Sequence, residues 1–461
     1  MNLNIHILNK AQKSFWFVPF LFSLISLLLS LVTFYFDWWL SQHNYPIFPK
    51  VLFSNFNLSM TIISTIASSI MTMTTITFST IMVVLTTFLS QYSPRTLQNF
   101  INDRPTQRVL AIFVSGVVYC ITLLVLLQDE SGQKLYISSA FAGIVAVICL
   151  FVFVYFVHHV SNWVKVSNLI HNITIKTNKK IDNSYLYRRN AIQEVPSTFN
   201  DSFFKETDPT NVFSEASGYL QQIDIEGMIK KAKKDKSIVR MVKTPGEYLL
   251  EGTPVMTIWS TNKDIDAEDY LDHLVLGPDK EPIEDIELGI RKLVEIALRA
   301  ISPAINDPNT AKNCIEEIGI ILSKLAKHKL PSSYLTDDEN QLRIILEQPT
   351  FVDYLYKSFY QLRHYGKQDV SIIAEIFRSL RMIGENNSSE TKRLVWTFKN
   401  YILEGIDYDS LQDLDMQYIM RHLDELAAAC GKDNWDKDEV RNKYFPEQYK
   451  TDDSYHHKKD L

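Results

Sequence analysis

Glycine is scarce in this chain, at 14 of 461 residues, and the glycine-dependent signatures are missing with it. There is no G-x-x-x-x-G-K-[ST] and no G-x-G-x-x-G, so nothing supplies the bare backbone turns that cradle phosphates. H-E-x-x-H and G-x-S-x-G are absent too, which removes the zinc-protease helix and the hydrolase nucleophile elbow. Cysteine occurs four times, at Cys120, Cys149, Cys314 and Cys430, and never as C-x-x-C. That spacing excludes a zinc ribbon and fits a reducing compartment, so neither a metal nor a cofactor is expected. A basic excess is lacking as well. The net charge is −6, and residues 161–461 carry 40 Lys/Arg against 49 Asp/Glu. An acidic soluble half offers no face to neutralise phosphates, which argues against nucleic acid.

Charge is missing altogether from four long apolar stretches, Phe15–Phe36, Ser59–Ser90, Val109–Leu127 and Leu135–Val157. A helix rises 1.5 Å per residue, so roughly 20 apolar residues cross a bilayer. Residues 1–160 therefore read as a membrane domain of four transmembrane helices with membrane lipid around it. The first stretch ends at Tyr35-Phe36-Asp37-Trp38-Trp39 without a small-x-small cleavage site, so it reads as a retained span and not a signal peptide. Basic residues alternate between the loops: Lys10 and Lys13, then Lys50 alone, then Arg95, Arg104 and Arg108, then Lys134 beside Asp129 and Glu130, then Lys165, Lys176, Lys179 and Lys180. This pattern predicts a multi-pass protein with both termini cytoplasmic. With no acid inside these stretches, a pump or secondary transporter built on an intramembrane carboxylate is disfavoured.

The second stretch differs from the rest: 13 of the 27 residues from Thr61 to Thr87 are Ser or Thr. Thr61, Thr65, Ser68, Thr72, Thr75 and Ser79 recur at helical spacing and share one face. Two readings stand side by side. Small hydroxylated residues let helices approach closely and bond across. Alternatively, the stripe lines a wet path in an oligomer and opens at Pro94 and Arg95 as a cytoplasmic mouth.

Beyond the spans, residues 161–211 read as an amphipathic exit helix and a polar linker. Adjacent His158 and His159 diverge on a helix and cannot easily share a metal. Residues 212–262 alternate in short glycine-punctuated strands around Pro245-Gly246-Glu247-Tyr248, similar to the turn of lipoyl- and biotinyl-type barrel sandwiches but without their modified lysine. Residues 263–431 read as a helical cytoplasmic domain with an isolated strand near Leu342–Leu346, and residues 432–461 as a mobile charged tail. The fold class is thus membrane α-helical plus cytoplasmic α+β.

The densest local motif is Leu298-Arg299-Ala300-Ile301-Ser302-Pro303-Ala304-Ile305-Asn306-Asp307-Pro308. Pro303 ends one helix, and Asp307 with Pro308 suits the start of the next. Capping leaves Ser302 and Asn306 unexplained, so Arg299, Ser302, Asn306 and Asp307 are also candidates for a ligand or partner site, together with Arg363 in Arg363-His364-Tyr365-Gly366. No nucleophile–base pair accompanies them, and the sequence favours a role other than catalysis, with no catalytic residue named.

Thr77-Phe78-Ser79-Thr80-Ile81, Gln91-Tyr92-Ser93-Pro94-Arg95, the Pro-Gly-Glu-Tyr turn, Arg299–Ala311 and Arg363–Gly366 fall in that order. Together they resemble a family of bacterial predicted membrane proteins, domain of unknown function 2254. The resemblance spans roughly residues 10–430 and implies an inner-membrane protein. It brings no reaction, cofactor or site residue with it. Ala304 stands where glycine is expected in relatives. The expected function is a homo-oligomeric, channel-like or membrane-sensing protein, its partners being copies of itself and a cytoplasmic protein or an ion. The alternative is a non-conducting scaffold or envelope-stress factor that binds a protein through its cytoplasmic domain.

Overall fold

In the computed structural model, the residues described are 17–42, 49, 52–91, 104–127, 135–163, 165–187, 191–192, 203–204, 207–262, 265–278, 286–328, 330 and 333–444. The chain divides into two compact units, residues 1–169 and 170–461.

The first unit holds four helices long and apolar enough to span a membrane: α1 (Phe17–Gln42), α2 (Phe56–Gln91), α3 (Arg104–Leu126) and α4 (Ser138–Trp163). Helix α3 is the central one and packs against each of the other three. Its Gly116 marks a close crossing, where an added Cβ would meet Cys149 Sγ of α4 at 3.1 Å and Ile70 Cδ1 of α2 at 3.3 Å. Close approach of backbones through small residues is how helices associate where no hydrophobic effect separates protein from lipid. Helix α1 does the same with Ser26, Ser30 and Thr33, a buried hydroxyl stripe. Ser26 Oγ donates to the Ser115 carbonyl of α3 at 2.5 Å, and Tyr119 Oη of α3 donates to Thr33 Oγ1 at 3.3 Å. A two-strand ribbon, β1 (Ser54–Asn55) with β2 (Leu135–Tyr136), ties the segment before α2 to the one before α4.

The first apolar stretch ends at Phe36, but its helix does not. Helix α1 continues to Gln42, and the candidate span Phe17–Leu40 contains Asp37. The expectation that no carboxylate lies within a span is therefore corrected: Asp37 continues the buried stripe of α1 at helical spacing and is itself buried. The fourth span and the exit helix are two elements. Helix α4 stops at Trp163, and α5 (Val166–Tyr187) begins as a new helix.

The second unit combines sheets and helices. Strands β3 (Ala191–Ile192), β4 (Pro209–Phe213), β5 (Gly218–Ile223), β6 (Ser237–Met241), β7 (Tyr248–Leu249), β8 (Pro254–Ser260), β9 (Leu274–Gly277), β10 (Tyr334–Thr336) and β11 (Leu342–Ile345) form a six-stranded sheet of order β3-β10-β11-β6-β8-β4 and a three-stranded sheet of order β7-β5-β9. One core serves both, with Val239, Ile258 and Ile344 from the larger sheet and Leu220 and Leu249 from the smaller. The strand at Leu342 is not isolated, as its short apolar run suggests; it pairs with β10 and lies parallel to β6. Short helix α6 (Ile225–Lys234) starts at Asp224, whose side chain accepts from Gly227 N, and buries Met228 and Ala232.

The remaining helices are α7 (Ile286–Ala300), α8 (Pro308–Lys327), α9 (Phe351–Tyr365), α10 (Val370–Glu385), α11 (Ser389–Leu403), α12 (Asp413–Ala429) and α13 (Lys437–Tyr444). Helix α10 packs against α8, α11 and α12 and is buried along most of its length. Helix α13 falls within the stretch read from composition as a charged tail, and Trp435 just before it meets Trp396 of α11 edge-on at 5.7 Å. Residues 445–461 lie outside the described ones. The residues of α5 from Ile170 onward pack into this unit: Lys324 bonds Asp182 at 2.7 Å, and Thr177 lies against Gly289 of α7. A Cβ at Gly289 would collide with the Thr177 side chain, which is buried and whose hydroxyl is committed to the Ile173 carbonyl. Gly289→Ala is expected to destabilise the chain by about 1–3 kcal/mol through overpacking, read from chemical denaturation. Pairing it with Thr177→Ala should recover most of the loss.

Candidate functional site

The Ser/Thr stripe of α2 lies on its uncovered side. Thr61, Thr65, Ser68, Thr72, Thr75 and Ser79 are all exposed on the single chain. The opposite face, with Ile63, Ile70, Thr77 and Val84 at seven-residue spacing, packs inside the bundle. Several of the outward hydroxyls bond carbonyls one turn back: Thr61 to Asn57, Thr65 to Thr61, Thr72 to Ser68 and Thr75 to Met71, at 2.7–3.0 Å. A bonded hydroxyl tolerates an apolar setting, because its donor is already satisfied. The exposed faces of the neighbouring spans are of another kind. Helix α1 presents Phe20, Leu24, Leu28 and Leu31, and α4 presents Ile144, Val147, Phe151 and Val154. Pro94 and Arg95 lie outside the described residues.

The Arg299–Asp307 segment is a tight connector whose local bonds account for the two residues that capping left over. Ser302 Oγ donates to the Arg299 carbonyl at 2.7 Å, closing the end of α7. Asn306 adopts φ +51°, the left-handed region that Asn enters more readily than most residues. Asn306 N and Asp307 N then donate to the Ser302 and Ala300 carbonyls at 2.9 and 2.8 Å. The left-handed residue of this connector is Asn306 and not position 304, which explains how alanine is accommodated there. Asp307 caps α8: its carboxylate accepts from Thr310 N at 3.2 Å and from the Thr310 hydroxyl at 2.6 Å. The Thr310 hydroxyl, followed by backbone amides, holds the Asp307 carboxyl below its usual range despite partial burial. Ile305 at the tip is exposed.

Arg363 makes different contacts. Its guanidinium donates to the Tyr401 carbonyl at 2.8 Å and stacks over the Tyr401 ring at 4.0 Å. It also fills the space above Gly405, where an added Cβ would lie 2.5 Å from the arginine Cδ. The residue closes the end of α11. No described hydrogen bond joins it to the connector. His158 pairs with Asn162 at 3.0 Å and His159 stacks on Tyr155 at 5.8 Å, and no group of three metal-ligating side chains occurs among the described residues.

Two features escaped sequence reasoning. Asp37 sits on the buried stripe of α1, and its Oδ1 accepts from Ile137 N and Ser138 N, the start of α4, at 2.8 and 3.3 Å. It follows directly on the first apolar stretch, which ends at Phe36; the Ser26–Ser30–Thr33–Asp37 spacing is the signal that points inward. The second is an open cleft of 540 Å³ lined by Trp396, Lys399, Trp435, Glu439, Lys443 and Tyr444 among others. Burial pushes the Lys399 amine below its usual range, though it keeps Asn400 Oδ1 at 2.6 Å and the Trp396 ring at 4.3 Å.

Residues 12–382 match the family described as "Predicted membrane protein (DUF2254)", and the chain belongs to that family. The cleft around Lys399 lies beyond the matched residues. Among curated proteins, the chain is similar to an uncharacterised protein of Mycobacterium tuberculosis and to one of Mycobacterium bovis, each 26% identical over 338 residues. The alignments cover 71% of this chain and 64% of each relative's length. No solved structure matches the chain.

The connector can be tested at two positions. Asn306→Gly should leave stability nearly unchanged, whereas Asn306→Val should cost about 1–2 kcal/mol because the branched side chain resists the left-handed backbone. Asp307→Ala should cost about 1 kcal/mol as a lost cap. The Asp307 pKa is lowered on folding, so its contribution is complete above the unfolded carboxylate value of about 3.9 and is lost as pH falls through the folded value. Denaturation from neutral to acid pH should therefore show the parent and Asp307→Ala converging at the acid end.

Proposed function

We propose that this protein acts as a homo-oligomeric, channel-like protein of the bacterial inner membrane, with α2 facing the oligomer axis. In this reading both termini and the 170–461 unit are cytoplasmic, and that unit serves as a regulatory or binding domain. The observation that carries the proposal is the contrast between two hydroxyl stripes. The stripe of α1 is buried against α3, while the longer stripe of α2 has no covering helix among the described residues. Where the first stripe makes helix–helix contact inside one subunit, the second has the same chemistry available for contact between subunits. The largely apolar outer faces of α1 and α4 are better suited to acyl chains. Around an axis, hydroxyls already bonded to their own helix can exchange those bonds for water or a passing ion at small cost.

Ser68→Cys is expected to give disulfide-linked dimers on mild oxidation in native membranes, since the buried cysteines at positions 120 and 149 cannot substitute for it. Absence of cross-linked species along the whole stripe would remove the oligomer. Thr72→Leu should then lower ion flux in proteoliposomes while leaving the oligomer intact. Unchanged flux in an intact oligomer would turn the stripe into a packing seam, and the alternative of a non-conducting scaffold that binds a partner through its soluble unit would take its place.

A further inference from the structure

The open cleft of the second unit lies between α11 and the stretch that runs from Gly431 into α13. Its 540 Å³ falls within the roughly 300–1,000 Å³ range of small-molecule sites. Lys399 sets it apart from an ordinary surface groove. Lysine is almost never fully buried unless it is paired. Lys399 is 6% exposed, and no carboxylate among the described residues pairs with its amine. The ammonium donates to Asn400 Oδ1 at 2.6 Å and rests 4.3 Å from the centre of the Trp396 ring. Neither contact supplies a negative charge, and an ammonium has three donors to place. Burial disfavours the charge, and the field of Glu439 is opposed by that of Lys443. The nearby acids are engaged elsewhere. Asp424 bonds Lys437 at 2.8 Å, Asp436 accepts from Glu439 N at 2.9 Å, and Glu404 faces Lys443 at 3.8 Å.

The lining sets the charge and the shape that fit. Lys432, Asp433, Asp436, Glu439 and Lys443 stand exposed around the cleft. Three carboxylates against two amines at this rim repel a multiply charged anion such as phosphate. The one buried ammonium behind them matches one carboxylate, whose charge-assisted bond is the strong kind. Beside it stand two indoles. Trp435 is half-buried, its ring meets Trp396 edge-on at 5.7 Å, and its N–H is already committed to Asp424 at 3.2 Å. What remains for a ligand is carbon surface held in a fixed orientation, which suits a flat apolar ring.

We propose that this cleft binds a small aromatic monocarboxylate, its carboxylate on Lys399 Nζ and its ring against Trp396 and Trp435. The ligand supplies the counter-charge that the buried ammonium lacks within the chain. The inference rests on the binding role read for the soluble unit and gives that role a ligand class. The site lies wholly within that unit, so failure of cross-linking along α2 would remove the oligomer and leave this site standing.

The experiment is ligand-observed fluorine NMR on the purified full chain in detergent at neutral pH. Two probes are titrated separately: para-fluorobenzoate, and para-fluorobenzamide, which keeps the ring and lacks the charge. The benzoate should bind saturably at one site per chain, and the amide at least about tenfold more weakly. Lys399→Met, which leaves an unbranched apolar side chain in the same place, should abolish that preference. Unlabelled benzoate should displace the bound probe, and inorganic phosphate at the same concentration should not. If Lys399→Met fails to fold, the comparison of the two probes and the competition on the parent protein decide. Uptake of the benzoate without saturation, as detergent alone would give, would overturn the proposal. So would equal affinity for the two probes, unchanged preference in Lys399→Met, or displacement by phosphate as effective as by benzoate.

Discussion

Inside a bilayer no water is available to complete an unfinished hydrogen bond, and the first unit is arranged around that fact. Each span satisfies its own backbone as a helix, and many of its hydroxyls turn back to a carbonyl of the same helix or reach a group on a neighbour. The Ser26–Ser115 bond crosses between α1 and α3; the Thr65–Thr61 and Thr72–Ser68 bonds stay within α2. Polar chemistry left over from this accounting is therefore informative. In α2 it is a face of hydroxyls, several of them bonded one turn back, that no described helix covers. In α1 it is one carboxylate, buried and bonded to the start of α4.

The second unit is governed by packing instead. Helix α10 is buried on nearly every side and carries even Glu375 inward, where burial raises its carboxyl above the usual range against the pull of Arg378. The polar residues at helix ends are mostly engaged in closing those ends. Thr350 and Asp353 form a reciprocal cap on α9, Asp369 caps α10, and Asp307 caps α8. The motif at Arg299–Asp307 belongs to this pattern, which is why it is dense in the sequence: a tight turn between two packed helices needs a proline, a left-handed residue and a cap within a few positions.

The four spans, the α2 stripe and the Asp307 cap were legible because each rests on local periodicity or on a side chain bonding within three residues. What the sequence concealed depends on distant partners. Leu342–Ile345 reads as a lone strand because its parallel neighbour, Ser237–Met241, lies about a hundred residues earlier. Arg363 reads as part of a local Arg-His-Tyr-Gly motif, whereas its bonds go to Tyr401 on another helix. Asp37 reads as lying beyond the first span because the apolar stretch ends at Phe36, while the helix and its buried stripe run on.

The order of strands in the larger sheet bears on how the chain is made. Ala191–Ile192 pairs with Tyr334–Thr336, and Ser237–Met241 pairs with Leu342–Ile345, so the sheet joins segments more than a hundred residues apart. A ribosome has released all four spans well before Ile345 appears. The sheet edges therefore wait, unpaired, while the membrane part is already complete. Non-local pairing of this kind is slow and exposes strand edges during synthesis. Biogenesis of this protein thus has a window in which an inserted membrane unit carries a nascent sheet that lacks its middle, and truncation anywhere before Ile345 leaves that window permanently open.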